Sequence, residues 1–204
     1  HDALPILSSL LANGEKDRFQ ELVNRSFSVM STCCIPLILC SMIMAPQIVY
    51  ILSGPGYEGA ILPMRIIMPA AFAVGVAQVL AIQVLMPMKK DKVLLVASII
   101  GAVVSLLINL LVVPYIESVG SAVVLLCSEA VVTGAYLWYV LSHKLTLISV
   151  KTIGKSVLYS LPSVVVCWGC GRWIENEFVG VGCAFLLSLF CLIYANRAYF
   201  RGLI

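Results

Sequence analysis

The chain has 204 residues, of which 61% are hydrophobic and 11% charged, with a net charge of +3. A soluble domain is about half apolar with about a quarter of its residues charged, so a mean hydropathy of +1.05 excludes a water-soluble fold. The basic residues sit in short segments between apolar stretches rather than on one continuous face, so they read as topology signals and not as a nucleic-acid surface.

The opening His1-Asp2-Ala3-Leu4 has no Met and no signal-peptide pattern, which predicts a piece of a longer protein. Residues 1–26 are amphipathic rather than apolar. Leu4, Leu7 and Leu11 share one helical face, and Phe19, Leu22 and Val23 follow the Asn13-Gly14 break. That pattern predicts a cytoplasmic segment lying in the membrane interface.

Six apolar runs follow, each long enough to cross about 30 Å of hydrocarbon as a helix. The first is expected over 27–52. It contains Pro36 and Pro46, whose missing N–H groups leave carbonyls to be satisfied by Ser31, Thr32 or a neighbouring helix. Ser53-Gly54-Pro55-Gly56-Tyr57 is a turn, and Pro63 starts a second span over 63–86. Lys89-Lys90-Asp91-Lys92 closes it. A third span over 93–113 stops at Pro114, and a short link through Glu117 leads to a fourth over 119–141. Such a link forces antiparallel neighbours. A polar cytoplasmic linker over 142–155 precedes spans over 156–174 and 178–195 and a short tail ending at residue 204.

Eleven of the thirteen basic residues fall on one side of this arrangement, leaving Arg65 and Arg172 for the other. The positive-inside rule turns the eleven to the cytoplasm, so both ends of the chain are expected there, a parity that six spans satisfy.

Helices in lipid associate through close backbone approach, which small residues four apart permit. Ala73, Ala77 and Ala81 form such a stripe in the second span and Ala97, Gly101 and Ser105 in the third. Ala130 and Gly134 do so in the fourth, and Gly180, Ala184 and Ser188 in the sixth. A compact bundle follows. All eight cysteines lie in apolar runs and read as small hydrophobes; Cys167-Trp168-Gly169-Cys170 lacks the context of a redox motif.

Five polar residues inside the spans are candidates for substrate or coupling contacts. Glu129, near the middle of the fourth span, costs about 2.5–3.5 kcal/mol to place there. It is either a coupling site for H+ or Na+ or a protonated carboxyl bonded to a neighbouring helix. Asn109 continues the Ala97 stripe and is expected on the packed face as helix glue, with cavity lining as the other role. Gln78 and Gln83 lie in the cytoplasmic half of the second span on different faces, as structural hydrogen-bonding groups or passage lining. Arg65, at the external end, either snorkels to the headgroups or pairs with a diphosphate. No P-loop, G-x-S-x-G elbow or H-E-x-x-H spacing is present, so neither enzyme, metal nor cofactor is expected.

The series Leu4-Pro5-Ile6-Leu7-Ser8, Asn13-Gly14-Glu15-Lys16-Asp17-Arg18-Phe19, Ile35-Pro36-Leu37, Gly54-Pro55-Gly56-Tyr57 and Leu62-Pro63-Met64-Arg65-Ile66 keeps a characteristic order. With Gln83-Val84-Leu85-Met86-Pro87, Ile108-Asn109-Leu110 to Pro114, Gly120-Ser121-Ala122 and Ser128-Glu129, it resembles the C-terminal part of polysaccharide biosynthesis flippases over Leu4 to Leu141. Ile6 departs from the arginine common in that family, which removes one phosphate contact.

The resemblance implies an all-α polytopic membrane protein. Its six transmembrane helices would be part of the C-terminal lobe of a MATE-like transporter plus two extra C-terminal helices. It implies alternating-access transfer of undecaprenyl-diphosphate-linked oligosaccharide across the bacterial inner membrane for O-antigen, capsule or exopolysaccharide synthesis. Membrane lipids, a coupling ion, a polysaccharide polymerase and glycosyltransferases are the implied partners. Cation-coupled multidrug efflux of the MATE type, with Glu129 as coupling group, and a non-transporting assembly subunit are the competing functions.

Overall fold

The computed structural model describes residues 3–143, 150–174 and 176–195. The linker residues 144–149, with Lys144, together with Glu175 and the tail carrying Arg197 and Arg201, lie outside the described residues. Every regular element among the described residues is helical. Among the described residues four helices are long and apolar enough to cross a membrane: Lys16–Ile43, Glu58–Leu85, Asp91–Ser142 and Thr152–Trp173.

Helix α1 spans Ala3–Ala12 and α2 spans Lys16–Ile43. Gly14, at φ 76°, makes the left-handed turn between them that a side chain would oppose. Leu7 and Leu10 of α1 and Phe19, Val23 and Phe27 of α2 enter one buried cluster with Leu80, Val84, Leu85 and Val140. The apolar face of the segment before residue 27, expected to lie flat on lipid, is thus turned onto the bundle. The reason is continuity: from Lys16 onward the chain is already part of the long helix, so its 3.6-residue stripe extends the packed face of the span.

Helix α2 passes through Pro36 and breaks at Met44, where α3 (Ala45–Ser53) begins with Pro46 in its first turn. A turn at Gly54 and Gly56, both with positive φ, and a 3₁₀ turn Glu58–Ala60 lead to α4, Ile61–Leu80. The last residues of this rod, Ala81–Leu85, wind as a π-turn. Met86 N–H reaches back five residues to the Ala81 carbonyl, 2.9 Å, which inserts one extra residue into the helical ladder.

Helix α5 covers Asp91–Ser142 but is not one straight rod. At about 1.5 Å per residue, 52 residues would extend about 78 Å, more than twice the hydrocarbon thickness. The backbone leaves helical geometry at Ile116 (φ −128°, ψ 16°) and Glu117 (φ 43°, ψ −116°). Gly101 meets Val132, and Gly120 faces Val113 closely enough that an added Cβ would stand 3.0 Å from the Val113 Cα. Both pairs are centred on the 116–117 bend, so the element is an antiparallel helical hairpin with limbs 91–115 and 118–142.

Helix α6 (Val150–Trp173) packs against α2 and α7 (Glu177–Ala195), and α4 packs against α2 and the α5 hairpin. Helix α2 is therefore the central post, with the α4–α5 group and the α6–α7 pair joined to it. In lipid this close approach gains dispersion rather than hydrophobic energy. The small and polar residues at the contacts fit that condition: Gly75 lies against Met30, and Thr133 donates to the Ala73 carbonyl at 2.9 Å.

Candidate functional site

The π-turn projects Gln83 toward α1 and α2. There it lines a cleft of about 370 Å3 with Arg25, Ser26, Ile6, Leu22 and Val29. One wall comes from α1, one from α2 and the floor from the π-turn. Arg25 is reached nine residues into α2, about 14 Å along the axis from Lys16, so a cation stands among apolar side chains. Ile6 and Leu22 remain 51% and 38% exposed at its rim. The arrangement suits an amphipathic ligand with an anionic end.

A second cleft of about 240 Å3 lies between α2, α3 and α7, lined by Pro36, Cys40, Met44, Ile48, Phe185 and Ser188. It is almost wholly apolar. Behind it the helices are joined by small polar groups. Ser163 Oγ donates to the Ser188 carbonyl at 3.2 Å, Cys167 Sγ lies 3.2 Å from Ser188 Oγ, and Thr32 Oγ1 lies 3.4 Å from Ser156 Oγ.

Arg65 is exposed, yet its Nε donates to the Met42 carbonyl at 3.0 Å. In an unbroken helix that carbonyl would accept from residue 46, which is a proline and has no N–H. Arg65 supplies the missing donor across 23 residues of sequence. Of the donors expected for the proline gaps, a neighbouring helix supplies this one; Thr32 pairs with Ser156, and Ser31 Oγ is buried with no hydrogen-bond partner among the described residues.

The other candidates are dispersed. Gln78 is exposed on α4, away from Gln83. Glu129 is half-buried on the 118–142 limb, on the face of Thr133 one turn further along, and has no hydrogen-bond partner among the described residues. Asn109 is exposed, although Ala97 and Gly101 of its stripe are buried. The correction is geometric: each step of four residues advances a helix by about 400°, so the line drifts about 40° per step. Three steps carry Asn109 about 120° from Ala97, off the packed face. Of the five, Gln83 alone lines either of these two clefts.

The sequence reading missed Arg25 and Ser26 as cleft residues, and it missed the stripe Ser156, Ser160, Ser163 and Cys167 on α6. All four stripe residues are buried, and their spacing of four, three and four is the signal of one narrow helical face. No cluster of three or more metal-ligating side chains is found among the described residues.

A protein of Escherichia coli (strain K12) named "Putative O-antigen transporter" is 29% identical to this chain over 140 residues, 69% of the chain and 33% of that protein. This shows the resemblance: the chain is similar to O-antigen-type transporters. It spans about one third of the relative's length. No family model matches the chain. No solved structure matches it. With four helices long and apolar enough to cross a membrane among its described residues, the chain is a multi-pass membrane protein.

Proposed function

We propose that the chain is the C-terminal part of a flippase that moves undecaprenyl-diphosphate-linked oligosaccharide repeat units from the cytoplasmic to the external leaflet of the bacterial inner membrane. The observation that carries this reading is the 140-residue similarity to an O-antigen transporter. Its physical support is an all-helical assembly with small-residue contacts between the helices.

On this reading the bundle crosses the membrane six times. The α5 hairpin contributes two passes, and α7 completes the last pair with α6. The bundle is part of one lobe of a MATE-like transporter, and alternating access arises as that lobe rocks against the other about a site near the midplane. A rigid lobe is what the reading needs, and the glycine approaches and interhelical hydrogen bonds support it. The protein acts on its lipid-linked cargo without covalent chemistry. Coupling to H+ or Na+ and hand-over to a polymerase after glycosyltransferases have built the cargo complete the scheme.

The test is genetic and chemical. Cells lacking the intact protein, with no second flippase present, should accumulate lipid-linked oligosaccharide facing the cytoplasm and lose surface polymer. Normal surface polymer in such cells would overturn the proposal.

A further inference from the structure

The cleft between α1, α2 and the π-turn has a composition that transport of a sugar does not require. Its polar groups are Arg25, Ser26 and Gln83, and its remaining lining is aliphatic, including Ile6, Leu22 and Val29. Beyond it lie the basic residues Lys16 and Arg18 at the start of α2 and Lys89 and Lys90 after the π-turn. Gln83 lies in the π-turn and Lys89 in the turn that follows it, six residues later. The cleft therefore sits just beneath one basic end of the bundle, which the positive-inside rule assigns to the cytoplasm.

A cleft that sets a guanidinium, a hydroxyl and an amide among aliphatic side chains matches an amphiphile with an anionic head. Guanidinium groups pair with phosphate oxygens through parallel N–H donors. Basic pockets between transmembrane helices on the cytoplasmic side are suited to anionic head groups. The exposed Ile6 and Leu22 would be covered by the chains of such a molecule, and α1 would be held down along its length.

We infer that this cleft is a binding site for an anionic phospholipid of the cytoplasmic leaflet, with the phosphodiester at Arg25, Ser26 and Gln83 and an acyl chain along Ile6, Leu22 and Val29. The bound lipid acts as a strut that fixes α1 against α2 and the π-turn. It is a site for bulk lipid and does not depend on the identity of the transported cargo, so its failure would leave the flippase reading untouched.

The test uses the full chain in detergent, with native mass spectrometry and thermal unfolding as readouts and phosphatidylglycerol, phosphatidylcholine, inorganic phosphate and a polyprenyl diphosphate as probes. Phosphatidylglycerol should be retained at least about fivefold better than phosphatidylcholine, the scale expected of one basic residue near an anionic surface. It should also raise the unfolding temperature, whereas inorganic phosphate should do neither. Arg25→Gln should abolish the preference, and Arg25→Lys should keep part of it. If Arg25→Gln does not fold, Val29→Trp decides, because it fills the trough with every charge in place and should also lose the lipid. Equal retention of the two phospholipids, or an unchanged preference in the variant that folds, would overturn the inference. Displacement of phosphatidylglycerol by equimolar polyprenyl diphosphate would also overturn it, by assigning the cleft to the cargo.

Discussion

The Nε of Arg65 donates to the carbonyl of Met42 at 3.0 Å, at the break where α2 hands over to α3. Pro46 deprives that carbonyl of its helical donor, and in lipid no water replaces it. The pair makes the kink a defined joint between α2, α3 and α4. Arg65→Leu is expected to destabilise the fold by about 1–3 kcal/mol, the cost of an unsatisfied polar group. Pro46→Ala restores the N–H, so the same substitution in that background should cost less. A double-mutant cycle followed by denaturant unfolding checks this, and additive effects would show that the proline and the arginine are independent.

The hairpin bend yields a second prediction. Glu117 holds φ 43°, where a side chain is disfavoured, and a Cβ on Gly120 would stand only 3.0 Å from the Val113 Cα. Glu117→Gly should be neutral or stabilising by up to about 1 kcal/mol, since glycine removes the strain. Gly120→Ala should destabilise by about 1–3 kcal/mol, because the obstructing atom is backbone and cannot rotate away. Thermal unfolding of both variants measures the contrast, and the opposite order would contradict the hairpin.

Glu129 lies on the face of Thr133 with no hydrogen-bond partner among the described residues. Glu129→Gln keeps the side chain's size and removes its charge, and is expected to keep stability within about 0.5 kcal/mol and to keep glycan export. Export lost from a variant that still folds would instead assign Glu129 to ion coupling.

Cysteine placed at Lys90, in the turn after the π-segment, should be protected from an impermeant maleimide in intact cells. Cysteine placed at Tyr115, which is 83% exposed beside the hairpin bend, should react. On the proposed topology the positive-inside bias turns the basic segment to the cytoplasm. Exchanged reactivities would invert the topology.

The hairpin was legible in the sequence because a charged bend, Glu117, interrupts a long apolar run just after Pro114, and no other geometry hides both limbs from water. The carbonyl stranded by Pro46 was legible too, since its position follows from helix arithmetic. Its donor was not, because Arg65 arrives through tertiary packing of α4. Asn109 was misplaced by treating a four-residue spacing as a straight line, when it winds slowly around the helix. The cleft around Arg25 was hidden because residues 1–26 read as an interfacial segment, so Arg25 counted only as a topology signal. It became a lining residue once α1 folded back onto the π-turn beside Gln83.

The most direct measurement of the central claim is translocation by the intact protein in reconstituted vesicles. A fluorescent oligosaccharide on a polyprenyl diphosphate is loaded in one leaflet and quenched from outside over time. Protein-dependent exchange of that lipid, absent for an unrelated membrane protein at equal density, is the predicted result. Vesicles holding folded protein that leave the labelled lipid in its original leaflet would contradict the account.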